Sequence, residues 1–183
     1  MRVKNGGGAK VGCGEECSKR TVLVMANFPA IAIANEFLRR RGTSAYPQQM
    51  LIQKLSYIAN GWNLAINGEP LIDEQPEAWD NGPVYRSIWD NIKESGYNGD
   101  QCLLIDPVSK VQATAELNEK ERAVVEHVWR KYGNYSANLL SKMTHESNTP
   151  WSNTYFTRGR NAKLRNDEIK QHYVDLAMAG RGQ

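Results

Sequence analysis

The chain has 183 residues, 23 Lys and Arg against 20 Asp and Glu, a formal charge of +3, 40% hydrophobic residues and a mean hydropathy of -0.60. These values describe one water-compatible globular domain. No apolar run approaches the roughly 18 to 20 residues of a membrane-spanning helix, and MRVKNGGGAK lacks the apolar core of a secretory signal, so a cytoplasmic location is expected.

Residues 1–24 are rich in glycine, and are expected to be either a disordered tail or a non-native extension ahead of an initiator at Met25. They hold five bases (Arg2, Lys4, Lys10, Lys19, Arg20) and two acids (Glu15, Glu16), which leaves 18 of each sign in the rest of the chain. The excess positive charge therefore belongs to this segment, which argues against a general polyanion-binding body. Cys13 and Cys17 have no second Cys or His pair to complete a four-ligand zinc site, and with Cys102 they make an odd count that does not suit a disulfide framework. The run GGGAKVG lacks the Gly-Lys-Ser/Thr ending of a phosphate loop.

Between Ala30 and Arg41, Ile31, Ala34, Leu38 and Ile33, Phe37 recur at three- and four-residue spacing, which predicts a helix ended by Gly42. Pro47 is placed to open a second helix, with Leu51, Leu55, Ile58, Trp62 and Ile66 on its buried face. After Asn67-Gly68, the stretch GEPLIDEQPEAW reads as a short strand or extended loop. Asn81-Gly82 turns the chain, and Pro83 is expected to start a helix carrying Val84, Tyr85, Ile88, Trp89 and Ile92 up to Gly96. CLLID, before Pro107, is a candidate second strand.

Asn118 with Glu121 has the spacing of a capping box for a helix with Val124, Val125, Val128, Trp129 and Tyr132 inside and Gly133 at its end. Ser136 caps a helix containing Leu139, Leu140 and Met143, and Asn166 or Asp167 precedes a last helix with Ile169, Tyr173, Leu176 and Ala177. The expected fold is mainly α: a single compact helical domain over residues 25–183, with about six helices and one or two short β-strands.

No catalytic or metal motif of recognised spacing occurs, and His127, His145 and His172 fall on different predicted helices. Three local signatures stand out. They are Gln53-Lys54-Leu55-Ser56-Tyr57-Ile58-Ala59 with Gly61-Trp62, Glu77-Ala78-Trp79-Asp80-Asn81-Gly82-Pro83-Val84, and Thr144-His145 followed by Pro150-Trp151. In this order they resemble the Panacea domain family, the SocA-like antitoxins also labelled phage-associated GepA-type proteins. The resemblance runs from about Ile31 to Leu176. It implies a helical domain without enzymatic activity or cofactor, whose partner is a cognate toxin protein, and in some relatives a role as an adaptor delivering the toxin to an AAA+ protease.

The marked residues each carry a structural and a partner-binding reading. Lys54 borders the buried face, where its stem can run along the core and its ammonium can meet Asp73, Glu74 or Glu77. Tyr57 and Trp62 read as core aromatics with backbone acceptors for their polar tips. Trp79 is a further aromatic of the second signature, while Gly82, Pro83 and Val84 turn the chain. His145, next to Pro150 and Trp151, reads as a helix cap or hydrogen-bond hub, against the alternative of a hydrolase centre.

Charge is unevenly spread. Residues 66–107 hold nine acids and two bases, a net of -7, whereas Arg158, Arg160, Lys163 and Arg165 fall together without an acid. Asp73, Glu74, Glu77 and Asp80 are therefore candidates to face a basic toxin surface, or else form a solvated loop. The basic cluster is the candidate surface if the protein is instead a nucleic-acid-binding regulator.

Overall fold

A computed structural model describes residues 27–42, 49–94, 103–181. The expectations for residues 1–24, Pro47, Gly96 and Cys102 lie outside these segments. Among the described residues there are seven helices: α1 (Ala30–Arg41), α2 (Gln49–Asn67), α3 (Arg86–Glu94), α4 (Glu119–Tyr132), α5 (Ala137–Thr144), α6 (Pro150–Arg158) and α7 (Asn166–Arg181). One hairpin, β1 (Glu77–Trp79) with β2 (Gly82–Val84), lies between α2 and α3.

α2 is the axis of the fold, packed by α1, α3, α4, α5, α7 and β2. The periodicity predicts one apolar stripe, but every residue from Leu51 to Leu64 is buried, because neighbours surround the helix. Its polar residues consequently bond inward. Gln53 accepts from Tyr85 N and donates to Tyr85 O, as a neighbouring strand would. Asn60 Oδ1 accepts from Leu71 N and Ile72 N, and Asn63 Nδ2 donates to Glu69 O. Such bonds satisfy groups that would otherwise be costly to bury, and they fix the route of the chain leading into the hairpin. Ile66, predicted to be buried, is 61% exposed where α2 runs out of neighbours. On the opposite side, Gly61 lets the Tyr173 ring of α7 lie where a side chain would start: a Cβ there would stand 2.1 Å from the ring.

The predicted caps are present. Asn118 and Glu121 form a reciprocal capping box, Ser136 Oγ accepts from Leu139 N, and Gly42 closes α1 at φ +89°. Two elements differ from the sequence reading. Pro83 lies in β2, and the following helix starts at Arg86, since the pairing of β2 with β1 keeps the chain extended through Val84. α6 was not predicted, because PWSNTYFTR carries no apolar stripe; Thr149 caps it and Pro150 occupies its first turn. The CLLID expectation survives as a single bridge, Ile105 to Gln112, clamped by buried Asn35, whose amide bonds Leu104 O, Ala113 O and Leu104 N.

Candidate functional site

The β1–β2 hairpin pairs Glu77 with Val84, Ala78 with Pro83 and Trp79 with Gly82, leaving Asp80-Asn81 as a two-residue loop. Three paired residues a side cannot hold themselves in water. Here the turn is clasped from outside. Trp151 Nε1 donates to Trp79 O at 2.8 Å, and Ser141 Oγ donates to Asn81 O at 3.0 Å. His145 Nε2 lies 3.0 Å from Asp80 O, while the Asp80 carboxylate takes the Tyr155 hydroxyl on one oxygen and Arg160 on the other. From below, Lys54 Nζ donates to Pro83 O at 3.1 Å. The outer edge of β1 is occupied as well, since Ala78 exchanges backbone bonds with Ala162 and Asn161.

The clasp is built from two helix ends. His145 caps α5 with its own N–H on Ser141 O and Lys142 O, which turns its ring towards the hairpin. Trp151, near the start of α6, packs on that ring at a centroid distance of 3.9 Å and stacks on Tyr155 at 4.8 Å. The other ring nitrogen of His145, Nδ1, is 2.6 Å from Ser141 O, and Ser141 Oγ at 3.5 Å donates instead to Asn81 O. Both imidazole nitrogens thus face backbone carbonyls, an arrangement that ties α5 to the turn.

Lys54 departs from its predicted environment. It is 1% exposed, and its amine meets the Pro83 carbonyl rather than Asp73, Glu74 or Glu77. Burial lowers its pKa from 10.5 to about 7. Gly82, at φ +101°, makes room for it, because a Cβ at that position would stand 2.7 Å from Lys54 Nζ and 2.8 Å from Thr144 Oγ1. Between pH 7 and 10 the unfolded chain keeps a proton on Lys54 that the folded chain releases, so stability should rise with pH across this window and be least below pH 7. The limiting slope is about 1.4 kcal/mol per pH unit. Urea unfolding at pH 7 and pH 9 should show this gain in the parent and lose it in Lys54→Met; equal pH dependence of the two proteins would contradict the assignment.

Next to the hairpin lies a cavity of about 260 Å³. Gln53, Lys54 and Val84 form its floor, and Met50, Trp79 and Trp89 its apolar walls. The two indoles meet edge to face at 5.3 Å. Glu77 accepts from Trp79 Nε1 at 2.8 Å and pairs with Arg86, whose guanidinium lies 5.1 Å from the Trp79 ring centre. Burial opposes ionisation of Glu77, but these donors outweigh it and hold the carboxyl below its ordinary value.

The charge separation read from the sequence is partly closed by the fold. Arg160 pairs with Asp80, Arg158 with Glu168, and Arg165 with Asp167, while Lys163 sits opposite Glu77 across a β-bridge. Glu74 accepts from Ser87 N and Oγ, and Asp73 is exposed. Little of the basic cluster is left as a free polycationic face, because three of its four residues hold acids of the same molecule.

The fold brings together Lys54, Trp79, Gly82, Pro83, Val84, His145, Pro150 and Trp151. It leaves Tyr57 and Trp62 apart, against Tyr173 of α7 at centroid distances of 6.3 and 5.3 Å. Their polar tips were expected to reach backbone acceptors, but neither Tyr57 Oη nor Trp62 Nε1 has a hydrogen-bond partner among the described residues. Ser141, Tyr155 and the bonding roles of Gln53 and Thr144 escaped sequence reasoning. Ser141 was accessible to it, as it lies four residues before His145, one helical turn away on the same face.

Residues 52–152 match the family described as antitoxin SocA-like, Panacea domain. The match begins two residues before Lys54 and ends one residue after Trp151, so it spans the hairpin and the clasp residues Ser141, His145 and Trp151. The chain belongs to the SocA-like Panacea antitoxin family. Antitoxin SocA of Caulobacter vibrioides (strain NA1000 / CB15N) is 28% identical over 127 residues, which cover 67% of this chain and 68% of that protein. No solved structure matches. Tyr155 and Arg160, which hold the Asp80 carboxylate, fall beyond the matched span. None of the described helices is long and apolar enough to cross a membrane.

Proposed function

We propose that this protein is an antitoxin that neutralises a cognate protein toxin by direct binding, without turnover. The observation that carries the reading is the family match, which spans the clasped hairpin. Its motif side chains are engaged in holding a backbone turn and in lining a small cavity beside it, a preorganised surface of the kind that protein recognition favours. His145 fits this picture, since its ring nitrogens face carbonyls of Asp80 and Ser141. A nucleic-acid role for Arg158, Arg160 and Arg165 gains no support, because each holds an acid of its own chain.

The partner to test first is the product of the adjacent gene. Expressed alone it should arrest growth, and co-expression of this chain should restore it; arrest that persists with both proteins present counts against the reading. Following the toxin's abundance separates two mechanisms. Occlusion leaves the toxin level unchanged, whereas delivery to an AAA+ protease, the adaptor form of this proposal, shortens its half-life in a protease-dependent way.

A further inference from the structure

We propose that the cavity beside the hairpin is an anchor pocket for a glutamate side chain of the protein partner. That the occupant belongs to a protein rests on the antitoxin reading; the chemistry of the pocket does not.

The pocket has one buried cationic donor, Lys54. Of the other buried or half-buried donors, Gln53 gives one amide N–H to Tyr85 O and Trp79 gives its indole N–H to Glu77. Lys54 Nζ has three N–H positions when protonated and one acceptor among the described residues, Pro83 O. An amine so buried and under-supplied favours an incoming acceptor, and a carboxylate suits it best, because it forms a charge-assisted bond and restores the ammonium that burial disfavours.

The mouth does not repel an anion. Asp80, the acid of the lining, has its carboxylate engaged by Tyr155 and Arg160, so Lys54 and Arg160 outweigh it by one charge when the amine is protonated. Size limits the guest. At about 260 Å³ the cavity falls just below the roughly 300–1,000 Å³ of small-molecule sites, which suits one side chain better than a nucleotide. Glutamate combines two methylenes, which can lie against the apolar wall formed by Met50, Trp79 and Trp89, with a carboxylate that can meet Lys54. Aromatic walls around a desolvated charge pair are the composition of an interface hot spot.

The test uses the full chain labelled with [13Cε]lysine and two probes, acetyl-Leu-Glu-amide and acetyl-Leu-Gln-amide, titrated to concentrations on the order of 10 mM, where contacts of about 3 kcal/mol become visible. The Lys54 signal, assigned by its absence in Lys54→Met, should move saturably with the glutamate probe and respond at least about tenfold more weakly to the glutamine probe. Trp89→Ala keeps the amine but removes a wall, and should weaken the response. Equal responses to the two probes, no response to either, or an unchanged response in Trp89→Ala would overturn the proposal. So would acetate reproducing the shift at the same concentration, which would mean an adventitious ion only. No toxin is needed, so a failed titration with intact neutralisation removes the pocket alone, and failed neutralisation with an intact titration removes the antitoxin reading alone.

Discussion

Trp151→Ala should cost about 3–5 kcal/mol of stability, the range for removing a large buried aromatic. Trp151 is 4% exposed, and it carries two connections that other residues cannot replace. Its ring lies between His145 and Tyr155, and its N–H holds Trp79 O. Loss of the ring therefore opens a cavity between α5 and α6 and also frees the hairpin whose turn those helices hold. Trp151→Phe separates the contributions: it keeps most of the stacking but removes the indole bond to Trp79 O, so a loss of about 1–2 kcal/mol is expected. Urea unfolding of the three proteins measures both differences. A Trp151→Ala protein within about 1 kcal/mol of the parent would show that the clasp is not a main support of the fold.

Gly82→Ala should lose about 2–4 kcal/mol, for two reasons that add. At φ +101° an L side chain is strained by about 1–2 kcal/mol, and the new methyl would overlap both Lys54 and Thr144. A lysine end ordinarily swings aside. Lys54 is 1% exposed under the turn, and moving its amine into the adjacent cavity would break its bond to Pro83 O. Thr144 is equally confined, since its hydroxyl is donated to Ser141 O. Combining Gly82→Ala with Lys54→Ala should recover the overlap with the amine and leave the backbone strain, giving a coupling energy on the order of 1 kcal/mol in a double-mutant cycle. Strictly additive losses would mean that amine and turn do not touch as described.

α4 and α7 were legible in the sequence because their burial is one-sided, and α1 because its three- and four-residue spacing survives although Ala30–Asn35 are buried all round; the Asn118 box and Ser136 cap follow from local chemistry. α2 was legible as a helix but not as one buried all round, since Gln53, Lys54, Asn60 and Asn63 look like a solvent face until the chain segments that bond them are in place. α6 escaped because it is held by Trp151 packing on His145 and bonding the hairpin, and by capping, rather than by a stripe. Pro83 misled for a related reason. Proline before an apolar period normally opens a helix, but here pairing with β1 takes precedence for two more residues.

The site itself was legible as a set of residues and not as an arrangement. Lys54, Gly82, His145 and Trp151 come from three separate signatures, and their meeting depends on α5 and α6 folding back over the hairpin. The charge pattern was misleading in isolation. Acids at 77 and 80 and bases at 160 and 163 are distant in sequence, but the bridge between Glu77 and Lys163 and the Asp80–Arg160 pair set them against each other. A segment's net charge describes a partner surface only after such internal pairings are removed.

The central claim is neutralisation by binding without turnover, and the most direct measurement is a titration of the purified toxin's activity with this protein, in the absence of any protease. The prediction is a loss of activity linear in added protein, ending at a fixed molar ratio of the order of one and shared by a complex isolated at the same ratio. Complete neutralisation by a small fraction of an equivalent, with no complex formed, would contradict it and identify a catalyst.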